Sequence, residues 1–163
     1  MGDTEYLRDV EAIKQLKARY CRLLDTKDWA AWRAIFTDDF VSDTSESGGK
    51  VIRGADDFVA FTRKSLRDQA TVHQVHAPEI AVTSATTASG VWALEDVVRF
   101  GPGLNLRGYG HYTETYLKTD DGWRIATSKL TRLREDFFNG LVAVYLSKRV
   151  RAVLMKVASR VVR

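Results

Sequence analysis

Cysteine is almost absent from this chain of 163 residues, since Cys21 is the only one. A single cysteine excludes a disulfide framework within one chain and a cysteine-rich metal site. Proline is scarce and no stretch is low in complexity, so the chain is predicted to be ordered apart from its ends. No signal-peptide pattern and no apolar run of membrane-spanning length is present. These absences favour a reducing, cytoplasmic setting.

The sequence also lacks the motifs of common nucleotide and nucleophile sites. It contains no nucleophile elbow, phosphate loop or dinucleotide fingerprint. Its net charge of +4 arises in residues 147–163, which hold six basic residues and no acidic one. The rest of the chain carries 19 of the 25 basic residues against 21 acidic ones. This slightly acidic body argues against a nucleic-acid partner.

Periodicity places helices before strands. Apolar residues at helical spacing predict helices over 5–24, 28–36 and 55–68, with Asp28 as the N-cap of the second. Alternating patterns predict strands over 39–44, 50–53, 71–82, 88–100, 107–118 and 122–134. This order is typical of the α+β class. We expect a cone-shaped α+β barrel over residues 1–138, in which about three N-terminal helices pack on a strongly curved mixed or antiparallel sheet and enclose one pocket.

A basic amphipathic helix is predicted over 139–163. Its apolar stripe consists of Val142, Leu146, Val150, Val153, Val157 and Val161. Lysines and arginines occupy the opposite face. The helix could pack on the body or on a second subunit, which we favour, or it could lie on an anionic membrane surface.

The strand over residues 90–100 has one strongly aromatic face, which carries Trp92, Leu94, Asp96, Val98 and Phe100. A buried carboxylate at Asp96 is costly unless it is paired. Asp96 is therefore either a functional group or an aspartate at a strand edge that faces water. Trp92, Leu94 and Phe100 would form the apolar wall of a substrate site.

Acid–base groups occur near this strand in the predicted fold. His73 would be the natural general base near neutral pH, or it could be a hydrogen-bonded filler. Its neighbour His76 should point to the other face, and this spacing makes a metal site improbable. Asp25 ends the first helix, where its charge opposes the helix dipole. It therefore needs a histidine or a backbone donor as partner, unless it only forms a loop.

Two further residues have open interpretations. Tyr20 lies on the apolar face of the first helix and could be a core aromatic with its hydroxyl at the rim. Arg132 shares a face with Arg134 by alternation, which favours a solvated basic surface. For Arg132 to enter a pocket, the last strand would need a bulge or a position at the mouth.

Several segments resemble SnoaL-like proteins of the nuclear-transport-factor-2-like superfamily. They are Asp9–Tyr20 followed by Leu24-Asp25, His73–Ile80, Gly90–Asp96, Tyr112–Tyr116 and the turn Asp121-Gly122-Trp123. The likeness covers roughly residues 8–138 and is closest to bile acid 7α-dehydratases. Scytalone dehydratases and hexachlorocyclohexane dehydrochlorinases are more distant. The connection around Gly101–Gly108 is shorter than in the bile acid enzymes, so the resemblance does not carry over a substrate.

The resemblance implies a set of site residues. Tyr20, His73 and Asp96 would be catalytic, Asp25 would pair with the base His73, and Arg132 would bind substrate. The implied activity is that of a cofactor-independent, dehydratase-like lyase or an isomerase, which acts by acid–base chemistry on a hydrophobic ring compound such as a steroid, polyketide or aromatic. The alternative is a non-catalytic ligand-binding module, or a partner that resembles the β subunit of a ring-hydroxylating dioxygenase. We expect a homodimer or homotrimer, no metal and no cofactor.

Overall fold

Three helices lie within residues 3–66 in a computed structural model that describes residues 2–101, 103–139 and 143–146. They are α1 (Asp3–Asp25), α2 (Trp29–Ala34) and α3 (Ala55–Leu66). Asp28 caps α2 as expected, because its carboxylate accepts a hydrogen bond from the backbone N–H of Ala31 at 3.2 Å. A single 3₁₀ turn, Ser45–Ser47, lies between the first two strands.

The described residues form one seven-stranded sheet. Its strands are β1 (Phe36–Asp43), β2 (Val51–Arg53), β3 (Thr71–Val82), β4 (Thr87–Gly101), β5 (Leu104–Thr119), β6 (Gly122–Phe138) and β7 (Ala143–Leu146). The order across the sheet is β2-β1-β6-β5-β4-β3, and β7 also pairs with β6. Only β1 and β6 run parallel among these pairs. The predicted α+β class and mixed sheet are confirmed.

The sheet is bent by irregularities in several strands. β3 has a register shift between His76 and Glu79, where Ala77 adopts a positive φ of 40° just before Pro78. The pairing of β5 with β6 shifts twice more. Each extra residue increases the local twist and bends the strand. These shifts explain the strong curvature that the sequence predicts.

An aromatic core fills the space between the helices and the sheet. α1 packs mainly against β3, and its buried side is formed by residues at helical spacing. The ring of Tyr20 on α1 lies 5.5 Å from that of Trp32 and 5.9 Å from that of Tyr112. Tyr20 therefore joins the α1 face to the inner surface of β5.

Two expectations about element boundaries are wrong. The second helix ends at Ala34 rather than at residue 36, because Phe36 starts β1 and pairs with Ile125 of β6. Residues Ala143–Leu146 form a strand, although a helix was predicted from residue 139. The antiparallel partner there is Glu135–Phe138, the part of β6 that extends beyond its pairing with β1. The remaining residues of the predicted helix, 140–142 and 147–163, lie outside the described part. No helix within that part is long and apolar enough to cross a membrane.

Candidate active site

The side chains of His73 and Asp25 form a hydrogen-bonded pair between β3 and the end of α1. Nδ1 of His73 lies 2.7 Å from Oδ1 of Asp25. The backbone N–H of His73 donates to Oδ2 of the same carboxylate at 2.8 Å. An ionised carboxylate only accepts hydrogen bonds, so the proton of the neutral imidazole sits on Nδ1. This tautomer leaves the lone pair of Nε2 able to take up a proton.

The hydrogen bonds of Asp25 compensate for its unfavourable position at the end of α1. As the last residue of α1, its charge opposes the helix dipole. Burial alone would raise the pKa of Asp25, but the side chain and backbone N–H of His73 and the hydroxyl of Thr71 together hold that pKa below its ordinary value of 3.8. A histidine and a backbone donor are the partners that the sequence analysis required. Asp25 is therefore held as an ionised partner of His73.

Asp96 lies on the other side of His73, because β3 and β4 pair these two residues directly. Nε2 of His73 is 4.0 Å from Oδ2 of Asp96, beyond hydrogen-bonding distance. Both oxygens of Asp96 accept from Arg132, at 2.6 Å each, in a bidentate pair. Burial opposes the charge of Arg132, yet its hydrogen bonds to Asp96 raise the pKa of the guanidinium.

These four side chains lie in a row from the end of α1 across β3 and β4 to β6. Their exposed side-chain fractions are 21% for Asp25, 7% for His73, 3% for Asp96 and 8% for Arg132. A base with an aspartate on each side can take up a proton and have the resulting charge compensated. The expectation that Asp96 might face water is wrong, since the fixed pair with Arg132 compensates its burial.

Two bulges in β6 direct Arg132 inward. Ala126 and Leu133 have no partner in the register of β5 with β6. The first extra residue turns Ser128 and Arg132 toward the inner face, and the second separates Arg132 from Arg134. Arg134 is half exposed and pairs with Asp136, so the predicted shared face of the two arginines is wrong. The bulge that a pocket arginine would need is present.

Gly108 leaves the room that the Asp96–Arg132 pair occupies. It lies opposite Asp96 on β5. A Cβ atom built on Gly108 would overlap Nη1 of Arg132 and Oδ1 of Asp96. Gly108 is not among the site residues predicted from the sequence, although a glycine inside a strand is a known sign of close approach.

Replacing Gly108 with alanine is expected to destabilise the protein by about 1–3 kcal/mol, the usual cost of overpacking a buried site. Urea denaturation measures this free energy. Gly90→Ala is the matched control, because the nearest atom to its Cβ would be a Tyr116 ring carbon at 3.2 Å, which needs to give by only a few tenths of an ångström. Equal losses in the two variants would contradict the assigned role of Gly108.

Tyr20 approaches this chain of residues through Tyr112. Burial raises the pKa of Tyr20 most, and the charge of Glu114 and the hydrogen bond with Tyr112 raise it further. Burial and then the charge of Asp96 raise the pKa of Tyr112. Both phenols therefore stay neutral and can donate hydrogen bonds. Within the described residues, no hydrogen bond joins Tyr20 to His73.

A second buried polar cluster lies beside the tyrosines, and we call it the Lys17–Glu114 network. Nζ of Lys17 is 2.5 Å from Oε1 of Glu114, and neither side chain is exposed. Glu114 also accepts from Tyr116 at 2.6 Å and from Ser128 at 3.0 Å. The hydroxyl of Tyr116 in turn accepts from the indole of Trp92 at 2.7 Å.

The three predicted wall residues lie in different surroundings. Leu94 and Trp92 are buried in the core, where Trp92 belongs to the Lys17–Glu114 network. Phe100 is 45% exposed near the end of β4.

A separate open depression of about 520 Å³ lies on α2 and α3 and is lined by Trp29, Asp56, Val59, Ala60, Arg63 and Lys64. It contains none of the predicted site residues. The described residues include no group of three metal-ligating side chains that could hold a metal ion.

These features define a protein with an α+β barrel and a buried acid–base cluster. The chain belongs to the family of SnoaL-like domains, whose model matches residues 5–129.

One relative by sequence and two solved structures are similar to this chain. A probable cyclase, FGR4, of Gibberella zeae is 26% identical over 133 residues, which cover 74% of this chain and 89% of the cyclase. A candidate scytalone dehydratase of Novosphingobium aromaticivorans superposes with a TM-score of 0.74 at 20% identity, covering 82% of this chain and 90% of that protein. A hexachlorocyclohexane dehydrochlorinase, LinA-type3, of Novosphingobium barchaimii gives 0.70 at 15% identity, covering 89% and 94%.

The two structural likenesses establish the fold alone. They do not test the closer likeness to bile acid 7α-dehydratases, which stays a prediction.

Proposed function

We propose that this protein is a cofactor-independent lyase of the dehydratase type, or an isomerase, that acts on a hydrophobic ring compound. The observation that carries the proposal is the chain from Asp25 through His73 to Asp96 and Arg132. Such a chain supplies a base with a fixed tautomer and two compensating charges. The names of the similar proteins, a cyclase, a dehydratase and a dehydrochlorinase, are consistent with this class.

In the proposed reaction, Nε2 of His73 removes a proton from a carbon atom next to a carbonyl or another activating group. The electron pair of the C–H bond forms the new double bond, and in a dehydration the C–O bond to the leaving hydroxyl breaks. The proton on the imidazolium then passes to the leaving oxygen as water departs. In an isomerisation it returns to a different carbon. Asp25 and Asp96 stabilise the imidazolium between these two steps.

Tyr20 is proposed to bind the oxygen on which negative charge develops. Its raised pKa makes it a poor proton donor but keeps its hydroxyl neutral, so hydrogen bonding is the role that suits it. Arg132 is proposed to act through Asp96, since each of its terminal nitrogens donates one hydrogen bond to that carboxylate. Trp92, Leu94 and Phe100 are proposed to contact the apolar part of the substrate.

The alternative of a ligand-binding module, or of a partner like a dioxygenase β subunit, needs this fold but no acid–base pair. Burying the bidentate ion pair of Asp96 and Arg132 next to His73 costs free energy. A site that only binds a hydrophobic ligand does not need such a pair. This consideration favours the enzyme. A homodimer or homotrimer, a cytoplasmic location and the absence of a cofactor stay predictions.

The proposal is tested by incubating the purified protein with a panel of ring β-hydroxy ketones and β,γ-unsaturated ketones in D₂O. The expected result is a conjugated enone, followed by its ultraviolet absorbance, from at least one compound. Mass spectrometry would detect deuterium at the carbon that is protonated in an isomerisation. Asp25→Asn should lose this turnover. Tight binding of panel compounds without any product would support the binding module and contradict the proposed enzyme.

A further inference from the structure

Thr71 and Lys27 extend the Asp25–His73 pair away from the proposed reacting atom. Oγ1 of Thr71 lies 2.9 Å from Oδ1 of Asp25. Nζ of Lys27 lies 2.6 Å from the same Oγ1 and also donates to the carbonyl oxygen of Leu24 at 3.2 Å. Neither residue was singled out in the sequence. Together they form an ordered line from an ammonium group through a hydroxyl to the carboxylate.

The direction of each hydrogen bond in this line is fixed by chemistry. An ammonium group has only donors, so Oγ1 of Thr71 must accept from Lys27. The hydroxyl of Thr71 has a single hydrogen, and it donates this hydrogen to Oδ1 of Asp25. The same oxygen accepts from Nδ1 of His73. Lys27 thus occupies the acceptor side of the Thr71 hydroxyl, which donates to the same carboxylate oxygen as His73.

The backbone at Lys27 supports a specific role for its side chain. Lys27 follows the end of α1 and has a φ of +61°, in the left-handed region that glycine adopts far more easily. The amide of Lys27 donates to the carbonyl of Leu24 at 3.2 Å, as at many helix ends. A glycine would make this turn with less strain. The lysine instead supplies an ammonium group that reaches back to Thr71.

We propose that Thr71 and Lys27 are positioning residues that keep Asp25 ionised and oriented, so that His73 holds its proton on Nδ1 and presents Nε2 as the base. The catalytic consequence rests on the proposed function above. The electrostatic part does not, because it concerns the folded protein without substrate.

Charged and titratable groups face Asp25 from each packed element. They are His73 and Lys27, Cys21 on α1, and Asp96 beyond the imidazole ring. Burial lowers the pKa of Lys27, while the charge of Asp25 raises it. The folded-state pKa of Asp25 is below its ordinary 3.8, so its ionised form stabilises the fold above that pH and the contribution is lost as the pH falls through the folded pKa. Loss of a donor should move this transition to higher pH.

The test follows the ¹³Cγ resonance of Asp25 through a pH titration in four variants. Thr71→Val removes the hydroxyl and keeps the shape, whereas Thr71→Ser keeps the hydroxyl. Lys27→Met removes the charge, whereas Lys27→Arg keeps it. We expect the pKa of Asp25 to rise by about half to one unit in Thr71→Val and by about half a unit in Lys27→Met. The serine and arginine variants should titrate like the unmodified protein.

A fifth variant, Lys27→Gly, separates electrostatics from helix-end strain. It loses the same contacts as Lys27→Met but relieves the left-handed backbone. It should raise the pKa of Asp25 as much as Lys27→Met does and should unfold at a higher temperature than that variant. If the change in Asp25 followed the unfolding temperature instead, the role of Lys27 would be structural only.

The outcomes distinguish this inference from the proposed function. Identical titrations of Asp25 in Thr71→Val and Thr71→Ser would overturn the inference, even if the protein turned over a panel compound. Shifted titrations in a protein without any turnover would support the positioning line and count against the enzyme.

Discussion

Replacing His73 with alanine is expected to lower turnover of a panel compound by about 10²- to 10⁴-fold, the range that one positioned general base contributes. Binding of the compound should change much less, because the imidazole is expected to matter most in the proton-transfer step. The loss should therefore fall on kcat rather than on KM. Steady-state kinetics with the conjugated product as readout gives both constants.

This effect is large because the geometry makes His73 hard to replace. Asp25 holds Nδ1 at 2.7 Å, and the nearest oxygen of Asp96 is 4.0 Å from Nε2. Neither carboxylate can take over as a base next to the same carbon without moving. Water in the space left by the imidazole would be a far weaker base.

His76→Ala is the matched control, because His76 lies three residues further along β3 and is exposed to solvent. It removes the same chemical group from the same strand. Turnover of His76→Ala should stay within about twofold of the unmodified protein, as is usual for exposed positions. Full activity in His73→Ala would show that another residue is the base, and the assignment of the site would be wrong.

Strand alternation predicted that His73 and His76 point to opposite faces and that Asp96 lies on the more aromatic face of its strand. It could not give the register between their strands, because two long antiparallel strands pair equally well in several registers when judged by pattern alone. The direct pairing of His73 with Asp96 depends on the bulge between His76 and Glu79, which changes the register further along β3. The juxtaposition is therefore a product of the whole sheet.

Arg132 illustrates a stronger limit of the sequence. Uninterrupted alternation puts it on the same face as Arg134, and no local signal marks Ala126 or Leu133 as the extra residues of the two bulges. Only the complete pairing of β5 with β6 reveals them. The substrate-binding role that the resemblance implies for Arg132 stays a prediction, and its guanidinium also binds Asp96.

The Lys17–Glu114 network had signals that could have been used. Lys17 lies on the apolar stripe of α1, between Leu16 and Tyr20. Glu114 alternates with two buried tyrosines on β5, and a charged residue at an inward position requires a partner. What periodicity could not supply is that these two positions, 97 residues apart, meet each other. Long-range pairing of this kind depends on how α1 crosses the sheet.

Replacing Lys17 with methionine is expected to lower the free energy of unfolding by about 3–5 kcal/mol. The substitution keeps most of the apolar volume but removes the ammonium group. Glu114 would then be buried with only the hydroxyls of Ser128 and Tyr116 as donors. The rings of Tyr20 and Tyr112 would also lose a cation that lies 4.2 and 3.8 Å from their centres. Urea denaturation at neutral pH measures the loss.

Two further variants test whether the loss of stability in Lys17→Met arises from an unpaired buried charge. The double variant Lys17→Met with Glu114→Gln should recover most of the loss, since removing both partners of a buried pair is often nearly neutral. Lys129→Met breaks a pair of similar length with Glu46 at 2.6 Å, but those side chains are 43% and 58% exposed. That variant should lose much less stability than Lys17→Met, because solvent screens an exposed ion pair. Two results would contradict this explanation: a loss in Lys17→Met no larger than that in Lys129→Met, or a double variant less stable than Lys17→Met alone. Either result would indicate that packing of the lysine stem, rather than the ion pair, holds α1 to the sheet.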